Sequence, residues 1–229
     1  MRFEWLNVRL VRAAAAVFLA AALSSQSVAA GTAQAAPASD DCRPLSFAAG
    51  SEDEVVSKTA EFLTKVESLQ ERPYWPGGIS GVTLGIGWDL GYHSRAELYS
   101  AWAALGAARL ERLGVAAGKR GAAAQALILQ LKSVKISAEI SRQVLVTSLH
   151  SYYYPFVTDH FAGLKRLPAE AQVVLISLVF NRGVSMGHEP DWRFAKEVDR
   201  RWEFRELRED VKESDLFAIY AHLGTMKRL

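Results

Sequence analysis

The stretch Val82-Thr83-Leu84-Gly85-Ile86-Gly87-Trp88-Asp89 decides the predicted fold, because its residues alternate with period two. Such alternation predicts a β-strand with one buried face. The predicted inward face consists of the apolar residues Val82, Leu84, Ile86 and Trp88. The opposite face carries Thr83, Gly85, Gly87 and Asp89. Interior glycines mark places where another group approaches the backbone closely, so we predict that this second face is the floor of a polar cleft.

A helix that ends in a glutamate is predicted just upstream of the strand. Ser51, followed three residues later by Glu54, is typical of a capping box and places the helix start near Glu52. One face of this helix is apolar and consists of Val56, Ala60 and Leu63. The same face ends at Glu67. A carboxylate against an apolar face has a raised pKa, which suits a general acid; the alternative is a solvated glutamate in a fraying last turn.

A longer string of residues around the strand resembles a known family, the phage-type lysozymes. The string is Glu67-x-Leu69, then Tyr74 seven residues after the glutamate, then Gly81-x-Thr83-Leu84-Gly85-Ile86-Gly87. Members of that muramidase family open their catalytic domain with a glutamate at a helix end and a Thr-Ile-Gly-x-Gly strand. The resemblance implies an α+β, lysozyme-like fold, with a mostly helical lobe, one small antiparallel β-sheet near residues 74–92 and a cleft between them.

The second carboxylate of the site follows a variant of the family pattern. The family's aspartate comes two residues after the tyrosine, and here that position is Pro76. Asp89, six residues after Thr83, instead matches the Glu/Thr/Asp arrangement of pesticin-like bacterial members. The Trp-Pro-Gly-Gly-x-Ser-Gly-Val-Thr and Trp-Asp-Leu-Gly strings are similar to the same bacterial group.

The resemblance implies a role for each of these side chains. Glu67 is expected to be the general acid that protonates the leaving oxygen. Asp89 is expected to orient or deprotonate the attacking water, with Thr83 holding that water. Attack by a water on the far face of the sugar inverts the anomeric centre and requires carboxyl groups roughly 6.5–9.5 Å apart. Gly85 and Gly87 are expected to bind substrate on the cleft floor.

The segment between Asp89 and Pro155 is predicted to be mainly helical. Ser94 is a predicted N-cap for a helix through about Leu105, and another helix is predicted from about Ala122 to Lys132. Ser137 is predicted to cap a longer helix that ends or kinks at Pro155. The Tyr152-Tyr153-Tyr154 run offers rings either for core packing or for stacking on sugars.

The most apolar helix is predicted from Pro168 to Arg182, with Gly183 as its stop. Because it is apolar nearly all round, it is predicted to be the hydrophobic centre of the domain. Asn181, near its end, resembles the family residue whose amide reaches the substrate cleft. The mixed charges from Trp192 to Asp210 predict a solvated helix face, and Ser214 is predicted to cap a final helix.

The N-terminus predicts export. Three arginines precede an apolar run from Ala13 to Leu23, which is too short to span a membrane, and candidate cleavage sites follow Ala30 and Ala35. We therefore predict a secretory signal over residues 1–35, a flexible leader over 36–50 and a catalytic domain over 51–229. An uncleaved anchor is the alternative. The predicted destination is the periplasm or the medium.

Composition excludes several other classes of protein. The 229-residue chain has 27 basic and 25 acidic residues, and removal of the signal's three arginines and one glutamate makes it neutral. Nucleic-acid binding therefore has no support from charge. Cys42 is the single cysteine, so no intrachain disulfide is expected. The five histidines lack metal-ligand spacing, and no metal site is predicted.

These observations predict a peptidoglycan hydrolase. The resemblance implies cleavage of the β-1,4 bond between N-acetylmuramic acid and N-acetylglucosamine by an inverting muramidase that acts as a monomer. Bond cleavage by this route requires no cofactor, and no nucleic-acid partner or stable membrane span is expected. One alternative is a non-catalytic lysozyme-fold protein that binds wall glycan or a partner protein. Another is a structural periplasmic helical domain, which leaves the glycine-rich face unexplained.

Overall fold

A computed structural model describes residues 48–67, 69–182 and 202–226. The predicted signal, most of the leader, and the charged residues from Trp192 to Arg201 lie outside this range. The described chain is mostly helical with one small three-stranded antiparallel sheet, which confirms the predicted α+β class. It divides into two compact units: Val56–Tyr154 forms one, and Met1–Val55 with Pro155–Leu229 forms the other.

The sheet belongs to the unit Val56–Tyr154. Helix α1, Glu52–Val66, precedes three strands: β1 is Gln70–Tyr74, β2 is Thr83–Gly85 and β3 is Trp88–Asp89. Their order in the sheet is β1-β2-β3. Strand β1 contains Pro73 and has a register irregularity between Gln70 and Tyr74. Proline, which lacks an N–H, is tolerated at such a place because β1 is an edge strand.

The prediction of one continuous strand over residues 82–89 is wrong, because this stretch is a hairpin. Strand β2 pairs with β3 so that Leu84 lies opposite Trp88 and Thr83 lies opposite Asp89. Gly85 and Gly87 both have positive φ, at 56° and 72°, and they turn the chain between the strands. The alternating pattern concealed this turn. The residues that face each other across the hairpin are an even number of positions apart, so the alternation continues through the turn without a break.

Short helices complete this unit. They are α2 (Arg95–Ala101), α3 (Ala107–Gly114), α4 (Ala122–Gln125), α5 (Ile128–Leu131) and α6 (Ala138–Ser148), with 3-10 turns at Leu90–Tyr92 and Ala103–Leu105. The predicted caps are confirmed: Ser94 forms a capping box with Glu97, and the Ser137 hydroxyl accepts from the Ile140 N–H at 3.3 Å.

The single helix predicted from Ala122 to Lys132 is wrong, since α4 and α5 are separate. The Leu127 N–H donates to the Ala124 carbonyl at 3.1 Å, and the Gln130 N–H donates to the Leu127 carbonyl at 3.2 Å. These hydrogen bonds span three residues instead of four, so a tighter turn interrupts the helix at Leu127.

The core of this unit surrounds Trp102, which is 1% exposed. Trp88 lies partly buried at the edge of this core. The Trp88 ring meets the Trp102 ring edge-on, with 5.7 Å between the ring centroids, and stacks on the His93 ring, with 4.0 Å between the centroids. The fully buried members include Val82, Leu84, Leu90, Leu98, Leu113, Ala116 and Ala124. The apolar side of the hairpin therefore faces this core, as the alternation predicted.

Helix α6 ends at Ser148, before the predicted position at Pro155, which lies inside the next helix. Residues Leu149–Tyr153 form a π-helical turn, and helix α7, Tyr154–His160, follows. Within the tyrosine run, Tyr154 is buried and Tyr152 is 46% exposed. Tyr154 thus serves core packing, whereas the ring of Tyr152 remains on the surface.

The other unit is built around the predicted apolar helix. Helix α8, Ala169–Arg182, is buried from Ala171 to Val179. It is accompanied by a 3-10 turn at Leu164–Arg166, by α9 (Trp202–Glu213) and by α10 (Leu216–Thr225). The N-cap of α10 is Asp215, whose carboxylate accepts from two backbone N–H groups, and not Ser214, which has φ 60°. Aspartate caps well because its oxygens reach the free N–H groups of the first turn.

Candidate functional site

Three polar side chains form a row across the sheet of the unit Val56–Tyr154. Thr83, in the central strand, lies opposite Tyr74 of β1 on one side and opposite Asp89 of β3 on the other. Directly opposite residues of an antiparallel pair project from the same face. Thr83 is only 4% exposed, so its hydroxyl is enclosed by these neighbours. The structure thus brings together the predicted residues Thr83 and Asp89 and adds Tyr74.

Glu67 lies one residue beyond the end of α1. Its backbone N–H donates to the Leu63 carbonyl at 2.9 Å, so the helical hydrogen bonding extends to this residue. The side chain is half-buried, and its Oε1 atom is shielded from solvent. The predicted apolar face is confirmed, since Val56, Ala60 and Leu63 are all 0–1% exposed. Glu67 therefore continues a buried helix face.

Tyr74 links the predicted residues to one another. Burial raises the pKa of its phenol most strongly, and the negative charges of Glu67 and, to a smaller extent, Asp89 raise that pKa further. A side-chain hydrogen bond with Thr83 acts in the opposite direction. The phenol therefore lies within electrostatic reach of both carboxylates, and its residue lies opposite Thr83 in the sheet. In the sequence, the signal that points to Tyr74 is its position seven residues after Glu67.

Neutralising Glu67 should lower the pKa of Tyr74. A nearby carboxylate disfavours the phenolate, so Glu67→Gln removes one cause of the raised pKa while burial keeps it above the ordinary value. The measurement is an NMR titration of ¹³C-labelled tyrosine Cζ atoms, with the Tyr74 signal identified by its loss in Tyr74→Phe. Tyr153 is the internal control, because burial and Tyr152 raise its pKa to about 12 without Glu67. An unchanged Tyr74 titration would show that the two groups are not neighbours.

The Asp89 carboxylate is fixed by backbone N–H groups. Its Oδ1 accepts from Gly91 at 2.8 Å and from Gly81 at 3.0 Å, while Oδ2 shares the Gly81 N–H at 3.1 Å. Asp89 is thereby the N-cap of the turn Leu90–Tyr92. A Cβ on Gly81 would lie 2.3 Å from Oδ1, so glycine is required there. Because Oδ2 has one shared contact, it retains lone pairs for a water molecule.

The groups that approach the Gly85 backbone closely are other side chains of this protein. A Cβ at this position would lie 2.6 Å from Ser141 Oγ and 2.9 Å from the Trp102 ring. Gly85 is buried. The close approach of another group, which the glycine at this position predicted, is made by helix α6 and by the core. Gly87 is half-buried at the tip of the hairpin. The contacts of Gly85 support a packing role and give no support to substrate binding.

Asn181 belongs to the other compact unit. Its side-chain amide donates to the Ser177 carbonyl of the same helix at 3.0 Å. The residue itself is exposed. Its described hydrogen bond is thus local to α8.

His93 contributes no positive charge beside the carboxylates at neutral pH. Burial lowers the pKa of its ring, although Glu97 and Asp89 oppose that effect. The ring is stacked on Trp88, within 5° of parallel. His93 is therefore a neutral ring at the edge of the core and adds no charge to the row of Tyr74, Thr83 and Asp89 at neutral pH.

Comparison of the chain with known protein families and curated proteins identified no relative. No protein-family model matches the chain, and no curated protein is significantly similar to it. Across residues 48–67, 69–182 and 202–226, no three or more His, Cys, Asp or Glu side chains are grouped to hold a metal ion. Over the same ranges, every helix is too short or too polar to cross a membrane.

Proposed function

We propose that this protein is a lysozyme-like peptidoglycan hydrolase. One observation carries the proposal: Thr83 lies between Tyr74 and Asp89 in the sheet, and the negative charges of Glu67 and Asp89 both raise the pKa of the Tyr74 phenol. A glycoside hydrolase requires two carboxyl groups in one site, one to protonate the leaving oxygen and one to act from the opposite face of the sugar. Glu67 and Asp89 supply these two groups, and the motif around them resembles that of the phage-type lysozymes.

Glu67 is the proposed general acid. Its Oε1 atom is shielded from solvent, and the buried apolar face of α1 lies behind it. Asp89 is the proposed partner of the attacking water, with the Thr83 hydroxyl holding the same water. The backbone N–H groups that fix Asp89 preserve its direction during the reaction.

The Tyr74 phenol is the proposed positioning group for Thr83. A threonine hydroxyl rotates freely unless a partner fixes it, and the hydrogen bond with Tyr74 removes that freedom. Because the raised pKa keeps the phenol protonated at neutral pH, its O–H remains both donor and acceptor. The water held by Thr83 would then have a defined direction of attack.

The proposed substrate is the β-1,4 bond between N-acetylmuramic acid and N-acetylglucosamine. The proposed protein is exported to the periplasm or the medium and acts there as a monomer. The four named side chains supply acid, base and positioning groups for this bond. The signal, the leader and the catalytic domain over residues 51–229 are part of the same proposal.

The experiment is an NMR time course of purified cell-wall glycan with the protein. Cleavage of a β bond with inversion gives a new reducing end that is first α, whereas retention gives β. We expect release of disaccharide-peptides with the α anomer formed first. Initial formation of the β anomer would contradict the role given to Asp89, and release of no product would contradict the hydrolase itself.

A non-catalytic wall-binding protein is the second candidate, and the geometry of Asp89 favours it. The three hydrogen-bond contacts of this carboxylate with backbone N–H groups give Asp89 a structural role as a cap, and that role requires no catalytic function. Such a protein would sediment with purified cell walls and release nothing from them. The anomer experiment and a sedimentation assay on the same sample distinguish the two candidates.

A further inference from the structure

A short basic loop is fixed beside the turn that Asp89 caps. The loop Gly118-Lys119-Arg120-Gly121 is held by the Gly118 N–H, which donates to the Leu90 carbonyl at 3.1 Å, and by the Gly121 N–H, which donates to the Ser80 carbonyl at 2.9 Å. Arg120 also forms an isolated β-bridge with Gly81. The loop backbone is therefore attached on both sides to residues that flank Asp89.

The Arg120 side chain is directed by its packing. Its Cγ covers Gly91 so closely that a Cβ there would lie 2.6 Å away. Its guanidinium lies over the Tyr92 ring, 5.0 Å from the centroid. Tyr92 is 60% exposed, so the stacked pair stands on the surface. The guanidinium and the phenol ring thus form a cation–π pair on the surface, which we call the Arg120–Tyr92 platform.

The charge on the platform has no carboxylate partner within the described part of the chain. Other arginines of this unit are engaged: Arg95 pairs with Glu111, and Arg112 donates to the Gln130 carbonyl and to Ser133 Oγ. The Arg120 side chain packs on Gly91 and lies over the Tyr92 ring, and among residues 48–67, 69–182 and 202–226 it forms no salt bridge. Its fork of N–H donors therefore remains available to a planar anion, and a carboxylate fits that fork bidentately.

The platform adjoins the site through a single residue. Gly91 donates its N–H to Asp89 Oδ1, while the Arg120 stem packs on the same glycine. A ligand group on the platform would therefore extend from whatever sugar occupies the site. In peptidoglycan, the lactyl group of N-acetylmuramic acid is joined by an amide bond to a short peptide with free carboxylates. Removal of the peptide takes these carboxylates away and leaves only the lactyl carboxylate on the sugar.

We propose that the Arg120–Tyr92 platform is a subsite for the carboxylates of the wall peptide, and that it makes the protein prefer peptide-bearing strands to bare glycan. This inference rests on the proposed hydrolase function for its substrate. It adds a specificity-determining arginine outside the row of Tyr74, Thr83 and Asp89. The Tyr92 ring holds the guanidinium by a cation–π contact and is itself exposed to a ligand.

The test compares two soluble tetrasaccharides, one with its peptides and one stripped by an amidase, with the lactyl carboxylates that the amidase exposes then converted to methyl amides. For Arg120→Gln we expect about fivefold weaker binding of the peptide-bearing fragment, as for a solvent-exposed ion pair, and unchanged binding of the bare one. Lys119→Gln removes the same charge one residue away and is expected to stay within about twofold of the wild type. Arg120→Lys keeps the charge without the planar fork and should fall between the two.

Equal weakening on both fragments, or none on either, would overturn the subsite. Cleavage of the same fragments is followed in parallel, which separates this inference from the proposed function. A wild type that binds both fragments and cleaves neither refutes the hydrolase, while the difference in binding still decides the subsite. A wild type that binds neither fragment overturns both proposals.

Discussion

Peptidoglycan cleavage should fall by about 10²–10⁴ in rate when Glu67 is replaced by glutamine, which is the contribution of general acid–base catalysis. Glutamine keeps the shape of the side chain and removes its transferable proton. Glu67 is half-buried at the end of α1 and its backbone hydrogen bond to Leu63 is independent of the side chain, so the fold should survive. Muropeptide release measures the rate, and sedimentation with cell walls checks that binding is retained.

Glu71→Gln is the matched control for that experiment. Glu71 is the next carboxylate along the chain, but it is exposed on β1. The hydrogen bond recorded for it uses its backbone carbonyl, which accepts from the Ile136 N–H at 2.9 Å and is unaffected by the substitution. Its rate should match that of the wild type. Equal rates for wild type, Glu67→Gln and Glu71→Gln would remove Glu67 from the chemistry.

Gly85→Ala should destabilise the protein by about 3 kcal/mol, the combined effect of left-handed strain and overpacking. Gly85 has φ 56°, which an alanine adopts only with strain. A new Cβ would also lie 2.6 Å from Ser141 Oγ and 2.9 Å from the Trp102 ring, so helix α6 or the core must shift. Urea denaturation monitored by circular dichroism measures the free energy of unfolding.

Gly78→Ala separates the two contributions. Gly78 has nearly the same φ, 59°, but nothing lies within 4 Å of a Cβ built on it. Its substitution should therefore report the strain alone, about 1 kcal/mol. The difference between the two variants measures the steric contribution at Gly85. Equal decreases in the free energy of unfolding at the two positions would show that helix α6 shifts at no energetic cost and that Gly85 is not required for packing.

Local patterns along the sequence predicted the parts of the fold that depend on neighbouring residues. The serine caps, the buried face of α1 and the apolar helix α8 follow from helical spacing and from side-chain bonds within one turn. The turn at Gly85 and Gly87 was missed because alternation continues unbroken across it. The cap at Asp215 was missed because an adjacent serine offered the same chemistry.

The site was predictable only where its residues shared a local pattern. Thr83 and Asp89 were assigned to one face of a single strand, and they share a face because two strands pair. Tyr74 reaches Thr83 through pairing of β1 with β2, and the Asp89 cap depends on Gly81, eight residues away. Contacts of this kind depend on tertiary structure, so neither periodicity nor spacing records them.

The pairing of Thr83 with Asp89 also constrains how this hairpin could change during evolution. Three residues separate the facing pair Leu84 and Trp88. Sliding the pairing by one residue would turn the aspartate toward the hydrophobic core and the tryptophan toward the polar row. Burying an unpaired carboxylate is strongly unfavourable. Insertions of two residues would preserve the alternation, whereas a single insertion would be tolerated only if the loop itself absorbed it.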